Sequence, residues 1–114
     1  MGNTTTMSGR FVSVELDGAT DWNAPTDLPQ LVEGNDQGLM VKSIQIHTTS
    51  ASDAVIIRNA KTSAQTAAKI MDFLATAEVL DCVRYFGERG CLMWPAMDAA
   101  DLTEATTVII ELAI

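Results

Sequence analysis

The chain has little of what active sites and nucleic-acid surfaces are built from. Its 114 residues include one histidine, two cysteines, one tyrosine and two tryptophans, and aromatic residues make up only 5% of the whole. Basic residues are scarce as well, seven Lys and Arg against fifteen Asp and Glu, for a formal net charge of −8. Nucleic-acid binding draws most of its affinity from cations set against phosphates, so a field of this sign repels DNA and RNA. No apolar run approaches the ~20 residues of a membrane span, and no basic amphipathic face is offered to anionic lipid. The opening "MGNTTTMSGR" lacks the charged start and apolar stretch of a secretory signal, and Gly2 meets a myristoylation pattern only formally. The expectation is a soluble protein with no nucleic-acid partner and no membrane partner.

What is present is a core. Hydrophobic residues make up 47% of the chain, and a chain of this length buries close to two thirds of its unfolded surface, enough for one domain to fold without staples. "RFVSVEL" sets Val12, Val14 and Leu16 on one face and Ser13 and Glu15 on the other, the period of a half-buried strand. "LMVKSIQIHTT" alternates Ile44 and Ile46 against Ser43, Gln45 and His47. With the polar turn "SASD" and the β-branched "AVIIRNA" it reads as a hairpin. The terminal "TTVIIELAI" places Val108, Ile110, Leu112 and Ile114 on one side. Residues 63–80 fit two descriptions: Ala67, Ile70, Met71 and Leu74 follow helical spacing with Ser63 as a cap, while the strands on either side predict a strand over about 68–75. The fold expected is all-β: one sandwich, jelly-roll-like, of about seven to eight antiparallel strands.

Residues 1–38 are read as an N-terminal strand followed by a long arm, ahead of a sandwich core over 39–114, with one domain overall. From Ala19 to Gly38 the text has no clean period, and a connection of more than ~12–15 residues in a compact domain generally binds something or is disordered. Trp22, Leu28, Leu31 and Val32 make this arm too apolar for a solvated tether. They are expected to dock on the subunit's own surface or a neighbour's, and with His47 they form the expected interface set. His47 lies opposite Ile44 and Ile46, so it is a surface or contact residue before it is a base without an orienting partner.

"CVRYFGERGCLMWP" concentrates what chemistry there is. With "GERG" as a hairpin loop, Phe86 falls opposite Cys91, Arg84 opposite Met93 and Cys82 opposite Pro95. The cysteines then stand roughly 13 Å out of register, beyond the reach of a disulfide. A zinc site would need further Cys or His ligands. Two free thiols buried beside aromatic residues are expected, made in a reducing compartment. Asp98, Asp101 and Glu104 lack the alternate-position spacing of a calcium loop, and no phosphate loop or nucleophile elbow is present. No catalytic residue, cofactor or metal is expected.

From Val41 onward, over about two thirds of the chain, the order "VKSIQIHTTSASDAVIIRNAKTS", "RYFGERGCLMWP", "ATTVIIELAI" resembles the small β-sandwich virion proteins of tailed bacteriophages. The matching positions are Lys42, Ile44, Asp53, Val55, Arg58, Tyr85, Phe86, Gly87, Pro95 and Glu111. The resemblance implies a non-enzymatic capsid decoration, or cement, protein. Such a protein is made in the host cytoplasm and sits on the outer surface of the head, bridging subunits of the major capsid protein as a homo-oligomer, a trimer by preference. A carbohydrate- or receptor-binding module of a tail or fibre is the alternative that the same resemblance leaves open.

Overall fold

The computed structural model describes residues 3–33, 37–62, 66–102 and 106–113. The fold is all-β, two antiparallel sheets face to face, with 51% of the described residues in strands and 11% in helix. The larger sheet runs in the order β1 (Thr4–Ser8), β2 (Phe11–Leu16), β10 (Thr106–Leu112), β4 (Leu39–His47), β7 (Asp81–Tyr85), with β8 (Cys91–Met93) also paired to β4. The smaller runs β3 (Trp22–Asn23), β9 (Pro95–Met97), β5 (Ala54–Asn59), β6 (Lys69–Leu74). The described strands number ten, above the seven to eight expected, because β3, β8 and β9 are too short to carry a periodic signal and β1 is Thr-rich.

Alternation builds the core as the sequence suggests. Val12, Val14 and Leu16 from β2, Val108, Ile110 and Leu112 from β10, and Ile44 and Ile46 from β4 are all buried. They face Val55 and Ile57 of β5 and Met71 of β6 within one cluster. In β4 the buried set slips from Leu39 and Val41 to Ile44 and Ile46, an odd step that a regular strand would turn outward. The pairing with β10 absorbs it: Glu111 stands opposite Ser43 and Leu112 opposite Val41, leaving Lys42 as the extra residue of a bulge. Residues 69–74 are strand, as their neighbours require; the proposed cap Ser63 lies outside the described residues.

Two pairings differ from expectation. "SASD" does not close a hairpin, because β4 and β5 lie in different sheets. The Asp53 carboxylate accepts the backbone N–H groups of Thr49 and Ser50, and the tight turn it stabilises carries the chain across the sandwich. Nor is "GERG" a hairpin loop. β7 and β8 run in the same direction along one edge of β4, Tyr85 opposite Ser43 and Cys91 opposite Val41. Phe86 donates its N–H to the Lys42 carbonyl, and the residues after it form a loop projecting from a single edge line. A long strand such as β4 can serve two successive short partners, which local alternation cannot reveal.

The N-terminal forty residues are part of the same body. β1 turns into β2 at Gly9-Arg10, where Gly9 takes a φ of 62, and β2 pairs with β10 in the middle of the large sheet. The arm forms β3 and two short helices, α1 (Ala24–Asp27) and α2 (Pro29–Val32). Asn23 caps α1 by accepting the Thr26 N–H, while Asp27 accepts the Asn23 N–H in return. The Cα radius of gyration, 13.1 Å, equals the ~13 Å of a compact domain of this size, which leaves no room for an undocked arm.

Candidate functional site

The arm closes one side of the sandwich. Trp22 and Leu28 are completely or almost completely buried in the subunit's own core. The Trp22 indole N–H donates to Thr5 Oγ1 at 3.0 Å, and Gln30 donates to Met7 Sδ at 3.1 Å. Leu31 and Val32 are half-buried against the same core. The arm therefore docks in cis, on β1, and its two largest anchors have no surface left for a neighbour. The physical reason is economy of burial: the sandwich opening between β1 and β3 offers apolar contact to the segment tethered beside it, at no entropy of association.

His47 is half-exposed on the outer face of β4. Its Nδ1 lies 3.2 Å from Asp81 Oδ1 and its Nε2 3.0 Å from Gln45 Oε1. That is a side-chain ladder across β4 and β7. The acidic trio separates: Asp98 caps the short turn at Ala99–Asp101, Asp101 pairs with Arg58, and Glu104 lies outside the described residues. Among the described residues no three His, Cys, Asp or Glu are placed to hold a metal, and no helix is long and apolar enough to cross a membrane. The landmark Arg58 is nearly buried with its Nε 2.9 Å from Asp101, and Glu111 accepts from Ser43 at 3.1 Å and pairs with Arg10. These are fold-holding contacts.

The opposite side of the sandwich is open. Between β6 and the β7/β8 line lies a cleft of about 220 Å³ lined by Ile70, Arg84, Phe86, Cys91 and Met93 among others. Arg84 spans it, donating to the Ile70 carbonyl of the other sheet, with its guanidinium 5.1 Å from the Phe86 ring centre. Among the described residues, six of the seven exposed large hydrophobics belong to elements that flank this cleft: Leu74 at the end of β6, Val79 between β6 and β7, Val83 and Tyr85 on β7, Leu92 on β8, and Met40 opposite Leu92 on β4. Val83 is 65% exposed and Tyr85 55%. Tyr85 donates to Glu88 at 2.7 Å, and Glu88 also pairs with Lys42. The Tyr85 bond, then Lys42, holds the Glu88 carboxyl below its ordinary range, and the same bond raises the Tyr85 phenol. Both cysteines are free, Cys91 exposed and Cys82 half-buried, with burial and then Asp81 pushing the Cys82 thiol up. They stand opposite Val41 and Ile46 of β4, roughly 15 Å apart along the strand.

Backbone groups mark the same edge. Phe86 N donates to Lys42 O of β4 and Leu80 O accepts from Thr48 N just past its end, and in an antiparallel ladder successive residues face their partner alternately. The N–H and C=O of Asp81, Val83 and Tyr85 therefore point away from the sheet, on the residues whose side chains lie on its outer face. Sequence reasoning missed this edge. The available signal was that "DCVRYF" has apolar residues at both parities, Cys82 inward and Val83 and Tyr85 outward, which leaves the strand without a solvated face. No protein-family model, characterised protein or solved structure matches the chain.

Proposed function

We propose that this protein is a non-enzymatic structural component of a bacteriophage particle, a decoration protein of the head that works by adding buried area across contacts between capsid subunits. The place in the particle rests on the resemblance from Val41 onward. The mode of action rests on one observation: a sandwich closed by its own arm at β1 and β3 carries most of its exposed large apolar side chains, among the described residues, on or beside β6, β7 and β8 at the other end of the two sheets. A cement protein needs a stable body and an adhesive surface, and many weak copies multiply small contributions over a lattice. Closed homo-oligomers are the usual form of such units. The tail or fibre carbohydrate-binding alternative asks for exposed aromatic platforms. Trp22 is buried and Lys61 lies over the Trp94 ring at 5.4 Å, which leaves Phe11 and Tyr85, on separate strands, as the exposed rings among the described residues and favours the head.

The test is location. Particles purified on a density gradient from the source of this sequence are expected to carry the chain in many copies on the head, seen by labelled antibody and quantitative mass spectrometry. Label confined to the tail would favour the alternative, and absence from particles would end both readings.

A further inference from the structure

A sheet has two edges, and this molecule treats its four edges unequally. The β1 edge is flanked by the arm, through Trp22 on Thr5 and Gln30 on Met7. The β3 edge is two residues long. The β6 edge carries the charged pair Lys69 and Asp72, 3.0 Å apart, and a register shift beside Arg58. Cover, shortness, charge and bulges are the devices by which proteins blunt edges. β7 has none of them at its centre: Val83 lies there with its side chain exposed and its backbone groups directed outward.

Charge distinguishes this edge as well. Residues 69–94 together with Lys42, which pairs with Glu88, hold four basic residues (Lys42, Lys69, Arg84, Arg89) and four acidic ones (Asp72, Glu78, Asp81, Glu88). The remaining three basic and eleven acidic residues fall in the rest of the chain, so the whole net charge of −8 lies off this edge. Two copies that meet through it bring neutral surfaces together and keep their acidic remainders apart. A meeting through the β1 or β3 side of the molecule, which lies in the acidic remainder, sets like charges against each other.

We propose that the free edge of β7 pairs with the β7 edge of a second copy, antiparallel and about a two-fold axis through Val83. A register centred on a residue, not between two, keeps outward faces outward and pairs the outward-pointing N–H and C=O groups with one another, and a centre on Val83, the middle of β7, brings all three of its outward-directed residues into the ladder. Centring on Val83 sets Val83 against Val83 of the partner subunit and Asp81 against Tyr85 of the partner subunit. The interface is isologous, so it closes at two copies. It yields a dimer in place of the trimer expected from the resemblance. The inference does not rest on the virion reading, and the mass of the isolated protein tests it independently of any particle.

Sedimentation equilibrium of the full chain over a range of concentrations is expected to give twice the 12.2 kDa chain mass. Val83→Lys sets two ammonium groups across the axis and is expected to give the single-chain mass with an unchanged far-ultraviolet spectrum. Val83→Cys, in a Cys82→Ala and Cys91→Ser background, tests the register without disturbing the fold. Residues that exchange both ladder bonds stand ~5.5 Å apart, inside the disulfide window, so mild oxidation is expected to link two chains, while a cysteine at Leu74 gives no link. A single-chain mass at every concentration, a three-chain mass, a dimer indifferent to Val83→Lys, or no link at Val83→Cys would each overturn the proposal.

Discussion

Trp22 illustrates how a single residue changes meaning once its neighbours are known. In the sequence it is a bulky apolar side chain in an aperiodic stretch, which fits an anchor for a neighbour as well as one for the chain itself. In the structure it is fully buried, with its N–H satisfied by Thr5. Removing a buried Trp typically loses about 3–5 kcal/mol, a large share of the stability of a small domain. Trp22→Ala is therefore expected to lower the denaturant midpoint of the isolated subunit sharply, with the slope little changed. A Trp22→Ala subunit as stable as wild type would return the arm to the role of a trans-docking element.

At the scale of elements, what was legible was alternation and what was not was pairing. β2 and β10 could be read residue by residue, since Val12, Val14, Val108 and Ile110 follow the period of a strand buried on one face. β6 was legible from its context. The hairpins drawn at "SASD" and "GERG" were not real, because a turn signal says only that the chain changes course. Which sheet receives it depends on contacts far away in sequence. The bulge at Lys42 was hidden for the same reason: the odd step from Val41 to Ile44 breaks the pattern within β4, and only β10 resolves it. The junction of β4 with β8 has its own constraint. Gly38 has a φ of 117, and a Cβ there would lie 2.8 Å from the Met93 carbonyl oxygen, whereas one at Gly9 meets nothing within 4 Å. Gly38→Ala is expected to destabilise by more than Gly9→Ala, whose loss is the backbone term alone, about 1–2 kcal/mol. Equal losses in paired chemical denaturation curves would mean that β8 does not sit against residue 38 as described.

At the scale of the whole molecule, the sequence announced an all-β fold and drew attention to the arm, whose Trp22 and Leu28 are buried in the subunit's own core. The arm drew notice because apolar residues in a loop are conspicuous. β7 did not, because apolar residues in a strand are ordinary until the strand proves to be an edge. The resulting picture is a body with one side closed by its own N-terminal segment and an uncovered strand edge on the other, the arrangement on which the proposed pairing of two copies rests. The most direct measurement is amide hydrogen exchange by nuclear magnetic resonance at several protein concentrations. The account expects Cys82 and Arg84, whose N–H groups face β4, to exchange slowly throughout. It expects Val83 and Tyr85 to exchange fast in dilute protein and to become protected as concentration rises. Val83 and Tyr85 amides as slow as Cys82 at the highest dilution would mean that the edge is covered within the subunit, and fast exchange at every concentration would mean that no second chain pairs with it.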